Sequence, residues 1–313
     1  MSHAKLPAMK IAALFPGQGS QAVGMTKDFF EHNDSARALL ERAFQVLPGL
    51  DTLMFEGPED ALKLTENAQP ALVASSIACY RAWRAATGLT PDYAAGHSLG
   101  EFSALVAARA LEFDDALRLV RARGRYMQAA VPVGQGAMAA VLKLSLEQIK
   151  TALTGINGAE IANLNTLEQT VISGSVAGVA SASEQLKTLG GRIIPLQVSA
   201  PFHSSLMQPA RDRLDKDLAV TEFHDFYFPV VANVTAEANS DSSRIASLLS
   251  EQVTGTVRWV ESVQKLYQLG AREFIEFGSG TVLTGMVKKI LPDVTTFNIP
   301  GPDGLELYLK SRL

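Results

Sequence analysis

The stretch "YAAGHSLGEFSALVAA", residues 93–108, decides how the rest of the chain is read. A short apolar run leads into Gly96-His97-Ser98-Leu99-Gly100, and a helical pattern follows directly. A strand that turns into a helix this abruptly leaves no room for side chains on either flank. Glycine on both sides of one serine is therefore the composition of a nucleophile elbow. At such a turn the Ser98 hydroxyl projects to the surface and the Leu99 amide faces the same spot. An ordinary Gly/Ser turn gives the same pentapeptide, so the remaining chain must supply a base, a second oxyanion donor and a group that selects the acyl chain.

Strands and helices alternate around this motif. Residues 9–15, "MKIAALF", read as a buried strand followed by the loop "PGQGSQAVGM". Helical periodicity covers 27–47, about 70–86, and 114 to just before Pro132. Between them, Pro91 breaks the chain ahead of the strand 93–96. From 136 the texture changes to a strand, a serine-led helix, two strands joined by "TLE", a second serine-led helix and a closing strand, "GRIIPLQVS". That β-α-β-β-α-β order is the order of a ferredoxin-like unit. Strands at 228–234, 272–277 and 294–298 then resume the earlier alternation. The expected fold is an α/β body of mostly parallel strands, α/β-hydrolase-like, formed by 1–132 and 201–313. A small ferredoxin-like domain, 133–200, is inserted at one of its loops.

Composition narrows the function classes. A net charge of −4 argues against nucleic acid or an anionic membrane as the main partner. The single cysteine, Cys79, permits no internal disulfide and fits a reducing compartment. The apolar run Ile11 to Phe15 is too short for a signal peptide, and no run approaches the roughly 18 apolar residues of a membrane helix. The expectation is a cytoplasmic chain.

Serine needs a base. His3 lies in a tail, and His32 sits on a polar stretch of helix. His97 would point away from the nucleophile across the turn, and His224 in "TEFHDFYF" reads as structural. His203, in "VSAPFHSSLM", follows a strand and Pro201 at the domain junction and is the favoured base over a surface loop histidine. No Asp or Glu is placed to orient it, which leaves a backbone carbonyl as a candidate. In the loop that opens with "FPGQGSQ" and continues into Ala22, Gly17, Gly19 and Ala22 match a dinucleotide fingerprint, but residues 27–47 continue as helix where a second strand is required. The alternative is that the glycines let the Gln18 amide approach a substrate oxygen beside the Leu99 amide. Arg123 falls among Leu119, Val120, Tyr126 and Met127 on an apolar helix face, where a guanidinium is costly without an anion. It is either a snorkelling or ion-paired structural residue or a clamp for a substrate carboxylate.

The ordered set "FPGQGSQ", "QPALVAS", "GHSLGE", "RGRYMQ", "GAMAAV", "SAPFHS" and "VLTGMVKKI" resembles the successive motifs of the malonyl-CoA:acyl carrier protein transacylases, over nearly the whole chain. The resemblance implies Ser98 as nucleophile, His203 as base, Gln18 and Leu99 as oxyanion donors and Arg123 as malonyl clamp. It also implies a base-orienting main-chain carbonyl in a "PVxW" segment, which here is "TVRW" and points to Arg258, with Thr256 in place of the proline. The implied reaction is a ping-pong transfer of malonyl from malonyl-CoA to the phosphopantetheine thiol of acyl carrier protein for fatty acid synthesis. It uses no cofactor and no metal, and the expected state is a monomer. A free-standing acyltransferase of a polyketide pathway and a serine thioesterase or hydrolase are the alternatives.

Overall fold

Lys10–Phe15 (β1) is apolar at every position after the first, because both of its faces are covered. The computed structural model describes residues 9–198 and 200–313; the first eight residues, His3 among them, and Ser199 lie outside it. Among the described residues the other strands are Tyr93–Gly96 (β2), Gly136–Leu142 (β3), Ala159–Thr166 (β4), Gln169–Ser175 (β5), Arg192–Pro195 (β6), Val230–Val231 (β7), Ala238–Asn239 (β8), Ala271–Phe277 (β9) and Thr295–Ile299 (β10). They form a sheet of order β10-β9-β1-β2-β7-β8 and a second of order β4-β5-β3-β6.

In the first sheet β1 lies between β2 and β9 and is parallel to both; only β8 runs antiparallel, against β7. Side chains alternate along β1 as strand geometry requires. Ile11, Ala13 and Phe15 enter a core under helices Asp34–Val46, Thr65–Thr87, Gly100–Ala107 and Phe113–Ala129. Ala12 and Leu14 pack on the opposite face with Trp259, Val263, Leu283 and Val287. The register pairs Phe15 with Gly96, so β1 and β2 end together. The loops after them leave side by side, and the His97 amide donates to the Phe15 carbonyl at 3.0 Å. This is the crevice beyond the carboxyl ends of parallel strands, where α/β sheets place their ligands.

The second sheet is antiparallel and covered on one face by helices Leu146–Leu153 and Val176–Thr188, through Val141, Ile149, Ile172 and Leu186. Its strand order is that of a ferredoxin-like unit. Both helices start on serine caps: Ser145 completes a capping box with Gln148, and Ser175 accepts from the Gly178 amide at 3.0 Å. Through β4 the unit is stitched to the loop between helices Ile245–Thr254 and Trp259–Gln268. Val257 donates to the Ala162 carbonyl, and Leu164 to the Val257 carbonyl, each at 2.9 Å. Thr256, which stands where the resemblance leads one to expect proline, donates its hydroxyl to the Ile161 carbonyl at 2.7 Å and ties down the same loop.

Several element boundaries differ from the sequence reading; the closing strand expected over 191–199 pairs only over Arg192–Pro195, and Ser199 lies outside the described residues. The segment 27–47 is two helices, Lys27–His32 and Asp34–Val46, because Asn33 is extended and caps the second through the Ala36 amide. The helix expected from about 70 begins at Thr65 and tolerates Pro70 in its second turn. Pairing in 228–234 is limited to Val230–Val231, since Asn233 is drawn into side-chain contacts instead. Among the described residues no helix is long and apolar enough to cross a membrane.

Candidate active site

The elbow is set by contact between backbones. A Cβ on Gly96 would lie 1.8 Å from the Gly100 carbonyl carbon, and one on Gly100 would lie 2.0 Å from the Phe15 carbonyl oxygen. Between them Ser98 takes φ 52°, a left-handed conformation that a non-glycine residue holds only when its surroundings enforce it. Asn233 supplies that enforcement. Its Oδ1 accepts from the Ser98 amide and its Nδ2 donates to the Gly96 carbonyl, both at 2.7 Å.

His203 reaches the nucleophile from the other side of the crevice. Its Nε2 lies 2.7 Å from Ser98 Oγ and its Nδ1 lies 2.9 Å from the Gln252 carbonyl oxygen. A carbonyl only accepts, so Nδ1 carries the proton and Nε2 is left to take one from Ser98. Burial, and after it the charge of Arg123, lowers the His203 pKa from 6.5 to about 3. The ring is therefore held neutral. His203 also has a positive φ, 57°, so both partners of the pair sit on strained backbone.

The orienting carbonyl corrects the sequence reading. Arg258 does not face His203: its carbonyl accepts from the Ser262 amide and hydroxyl, each at 2.9 Å, as the start of helix Trp259–Gln268. Gln252 takes the role because it lies in the last turn of helix Ile245–Thr254. Carbonyls there have no partner within the helix and carry its partial negative charge.

Arg123 is 2% exposed, which removes the snorkelling reading. Its Nη1 donates to Gln69 Oε1 at 3.0 Å, and its Nη2 to Gln252 Oε1 at 3.0 Å and to Ser98 Oγ at 3.2 Å. Among the described residues it forms no salt bridge, and its buried Nε has no hydrogen-bond partner. Gly124 makes the placement possible: a Cβ there would lie 2.6 Å from the Thr65 carbonyl, so helix Phe113–Ala129 can close on helix Thr65–Thr87 and bring Arg123 against Gln69. Glu101 completes the network behind the nucleophile. Its Oε2 accepts from the Asn233 amide at 3.0 Å and from Gln252 Nε2 at 2.7 Å. Burial raises its pKa to about 7, against the hydrogen bonds from Asn233 and Gln252 and the pull of Arg123.

The loop bearing Gln18 lies against the elbow, because a Cβ on Gly17 would sit 2.5 Å from the His97 carbonyl oxygen. Among the described residues neither the Gln18 nor the Leu99 amide donates to a protein acceptor. His97 turns away to Asn165 Oδ1, 2.9 Å from its Nε2, and packs by Trp259. His224 lies near Glu112 and Glu222, and His32 contacts the Asp28 carbonyl.

Four residues of the site escaped sequence reasoning: Gln69, Glu101, Asn233 and Gln252. Gln252 carried the same signal as Arg123. With Ile245, Leu248, Leu249 and Val253 it forms the buried face of its helix, and it is the amide on that face. Gln69 and Glu101 stood inside the quoted motifs without an assigned role.

Comparison with known proteins places this geometry in context. The acyl transferase domain family matches residues 13–299. The malonyl CoA-acyl carrier protein transacylase of Bacillus subtilis (strain 168) is 46% identical over 308 residues, covering 96% of this chain and 97% of that protein. Its namesake from Staphylococcus aureus (strain MSSA476) is 42% identical over 93% of this chain and 95% of its own length. The crystal structure of an acyl-carrier-protein S-malonyltransferase from Burkholderia pseudomallei 1710b superposes with TM-score 0.93 at 43% identity, covering 96% of this chain and 100% of that one. A malonyl-transacylase solved in complex with its holo type II PKS acyl-carrier protein superposes with TM-score 0.93 at 38% identity, over 96% of this chain and 99% of that one.

The elbow yields a direct test. Asn233→Ala removes two short hydrogen bonds and leaves the Ser98 amide and Gly96 carbonyl unpaired inside the protein. A loss of about 1–3 kcal/mol of stability is expected, the scale of a buried polar group stripped of its partner. Urea denaturation measures it, and an unchanged midpoint would mean that the elbow holds its conformation without Asn233.

Proposed function

The chain belongs to the acyl transferase domain family, and on that premise we propose that it moves a malonyl group from malonyl-CoA to the phosphopantetheine thiol of acyl carrier protein, supplying fatty acid synthesis. One observation carries this reading: a buried guanidinium without a carboxylate partner lies 3.2 Å from the Ser98 hydroxyl. A cation there contributes nothing toward a neutral acyl group. It suits an acyl group that ends in its own carboxylate, held by charge-assisted hydrogen bonds.

Ser98 transfers its proton to His203 Nε2 as Oγ attacks the malonyl thioester carbonyl. The oxyanion forms against the Gln18 and Leu99 amides, with the N-terminus of helix Gly100–Ala107 behind them. The C–S bond breaks, and coenzyme A leaves as its thiol with the proton from His203. The malonyl ester stays on Ser98 with its carboxylate on Arg123. The carrier thiol then gives its proton to His203 and attacks the ester, and Ser98 regains its proton as the new thioester departs. A thioester becomes an ester and a thioester again, so we assign no metal and no cofactor. Nucleophile, base and clamp come from one chain, which supports a monomer, and the negative net charge and lone cysteine support a cytoplasmic protein without nucleic-acid partners. Residues 133–200 are assigned as an inserted small domain within a large one, 1–132 and 201–313. A polyketide carrier is the second reading, favoured by the relative solved with a type II PKS carrier; loading rates on the two kinds of carrier separate them.

Incubation with malonyl-CoA is expected to add one malonyl group at Ser98 and none in Ser98→Ala, by intact mass. An adduct persisting in the variant would move the nucleophile elsewhere, and release of free malonate without carrier loading would make the chain a hydrolase.

The low pKa of His203 sets the pH response. Protonation removes its acceptor, and that occurs only as pH falls toward about 3. kcat/KM for malonyl-CoA should show no histidine limb near pH 6.5. Glu101, at about 7, gains its proton as pH falls through that range, so a limb that vanishes in Glu101→Gln belongs to Glu101. A limb that persists in Glu101→Gln would mean that His203 itself titrates near the ordinary histidine value and that burial and Arg123 do not hold it down to about 3.

Arg123→Ala should lower malonyl transfer by about 2–5 kcal/mol in activation terms, the scale for truncating one side of a buried charge pair, while acetyl transfer holds or rises. The measurement is kcat/KM for both thioesters, with folding checked by thermal melt. An equal fall for both acyl groups would make Arg123 a structural residue.

A further inference from the structure

We infer that a second cavity, at the opposite end of the large sheet's strands from Ser98, binds a small phosphomonoester with a compact apolar group. The cavity measures about 230 Å³. It is reached at the far end of the nucleophile's own helix, where Val106 and Ala107 form part of its wall. At 1.5 Å per residue that end lies about 12 Å from the elbow. Tyr227, on the rim, precedes the strand entry at which the Ala94 amide meets the Pro229 carbonyl, so the cavity opens where β2 begins rather than where it ends.

Its chemistry is divided between cations and hydrocarbon. Arg81, Arg84 and Arg109 line it together with Ile77, Val106 and Leu111. Among the described residues none of these three arginines forms a salt bridge, whereas Arg42 on the same rim is taken by Asp114 at 2.6 Å. Glu112 is the carboxylate in the lining, set against this excess of cations. The guanidinium of Arg109 lies 4.7 Å and that of Arg84 5.8 Å from the Tyr227 ring centroid. Both lie within cation–π reach of that ring, a contact that leaves their positive charge without a carboxylate to neutralise it. Arg84 also donates to Thr90 Oγ1. Arg109 holds this position at φ 61°, where glycine would be less strained.

Guanidinium groups without a carboxylate partner around one small space call for a ligand with several anionic oxygens, and phosphate offers them in the geometry that arginine matches bidentately. A phosphate group near neutral pH carries close to two negative charges, which answers the surplus better than a single carboxylate does. The apolar wall asks for more than inorganic phosphate, because burying hydrocarbon there contributes about 25 cal/mol per Å² removed from water.

The test titrates phenyl phosphate, inorganic phosphate and phenol separately into the full chain by calorimetry. Phenyl phosphate is expected to bind at least about tenfold more tightly than either of the others, a difference of about 1.4 kcal/mol. Arg81→Gln with Arg109→Gln should weaken it by at least about tenfold, while malonyl transfer without the probe stays within about twofold of the unaltered protein. Should Arg109→Gln lower the melting temperature, Arg81→Gln alone, on an exposed helix face, gives the same comparison. Equal affinity for phenyl phosphate and inorganic phosphate would reduce the site to a general anion patch and overturn the inference. So would binding that survives the substitutions, or competition between phenyl phosphate and malonyl-CoA, which would place the probe in the catalytic crevice.

Discussion

The site is organised by the four contacts of Gln252. Its carbonyl, left over at a helix end, fixes His203, and its Oε1 takes a hydrogen bond from Arg123. Its Nε2 donates to the Ser98 carbonyl and to Glu101. One residue thus holds the base through its main chain, and the cation and the backbone of the nucleophile through its side chain, in a common frame. A neutral amide suits this position, because it can accept from a guanidinium without cancelling its charge. A carboxylate in its place would pair with Arg123 and compete with any substrate anion.

The frame also explains how a buried positive charge is kept near a serine. Burial lowers the Arg123 pKa to about 10, with Glu101 opposing the shift, so the guanidinium remains charged. The same burial and the same charge keep His203 neutral. Cation and base therefore support each other: the arginine discourages protonation of the histidine, and the histidine draws its proton from Ser98 only as the hydroxyl attacks. Strain is confined to Ser98 and His203 within the pair, and each is braced by a hydrogen bond from a different part of the chain, Asn233 for one and Gln252 for the other.

Much of this was legible in the amino-acid sequence, for local reasons. Gly96 is demanded by atoms of Gly100 and Glu101 in the turn itself, a short-range property, while Gly100 answers to the Phe15 carbonyl of the adjacent strand. Arg123 announced itself because a charge within an apolar helical face breaks a periodicity visible in one segment. The ferredoxin-like order of the insert followed from alternating patterns and two serine caps.

What the tertiary structure alone decided is which distant groups meet. Gln69, Glu101, Asn233 and Gln252 lie on four separate segments, and nothing in the spacing of any one of them names the others. The orienting carbonyl shows why. Every residue has a carbonyl, so a main-chain acceptor carries no side-chain signature, and only the ending of helix Ile245–Thr254 opposite His203 selects Gln252 over Arg258. Likewise the break at Asn33 depends on a cap that competes with a helical pattern running through it. Sequence determined the groups able to do chemistry wherever the constraint was local; the packing of the sheet and its helices determined their partners, because hydrogen bonds across the fold are made by proximity that no local pattern encodes.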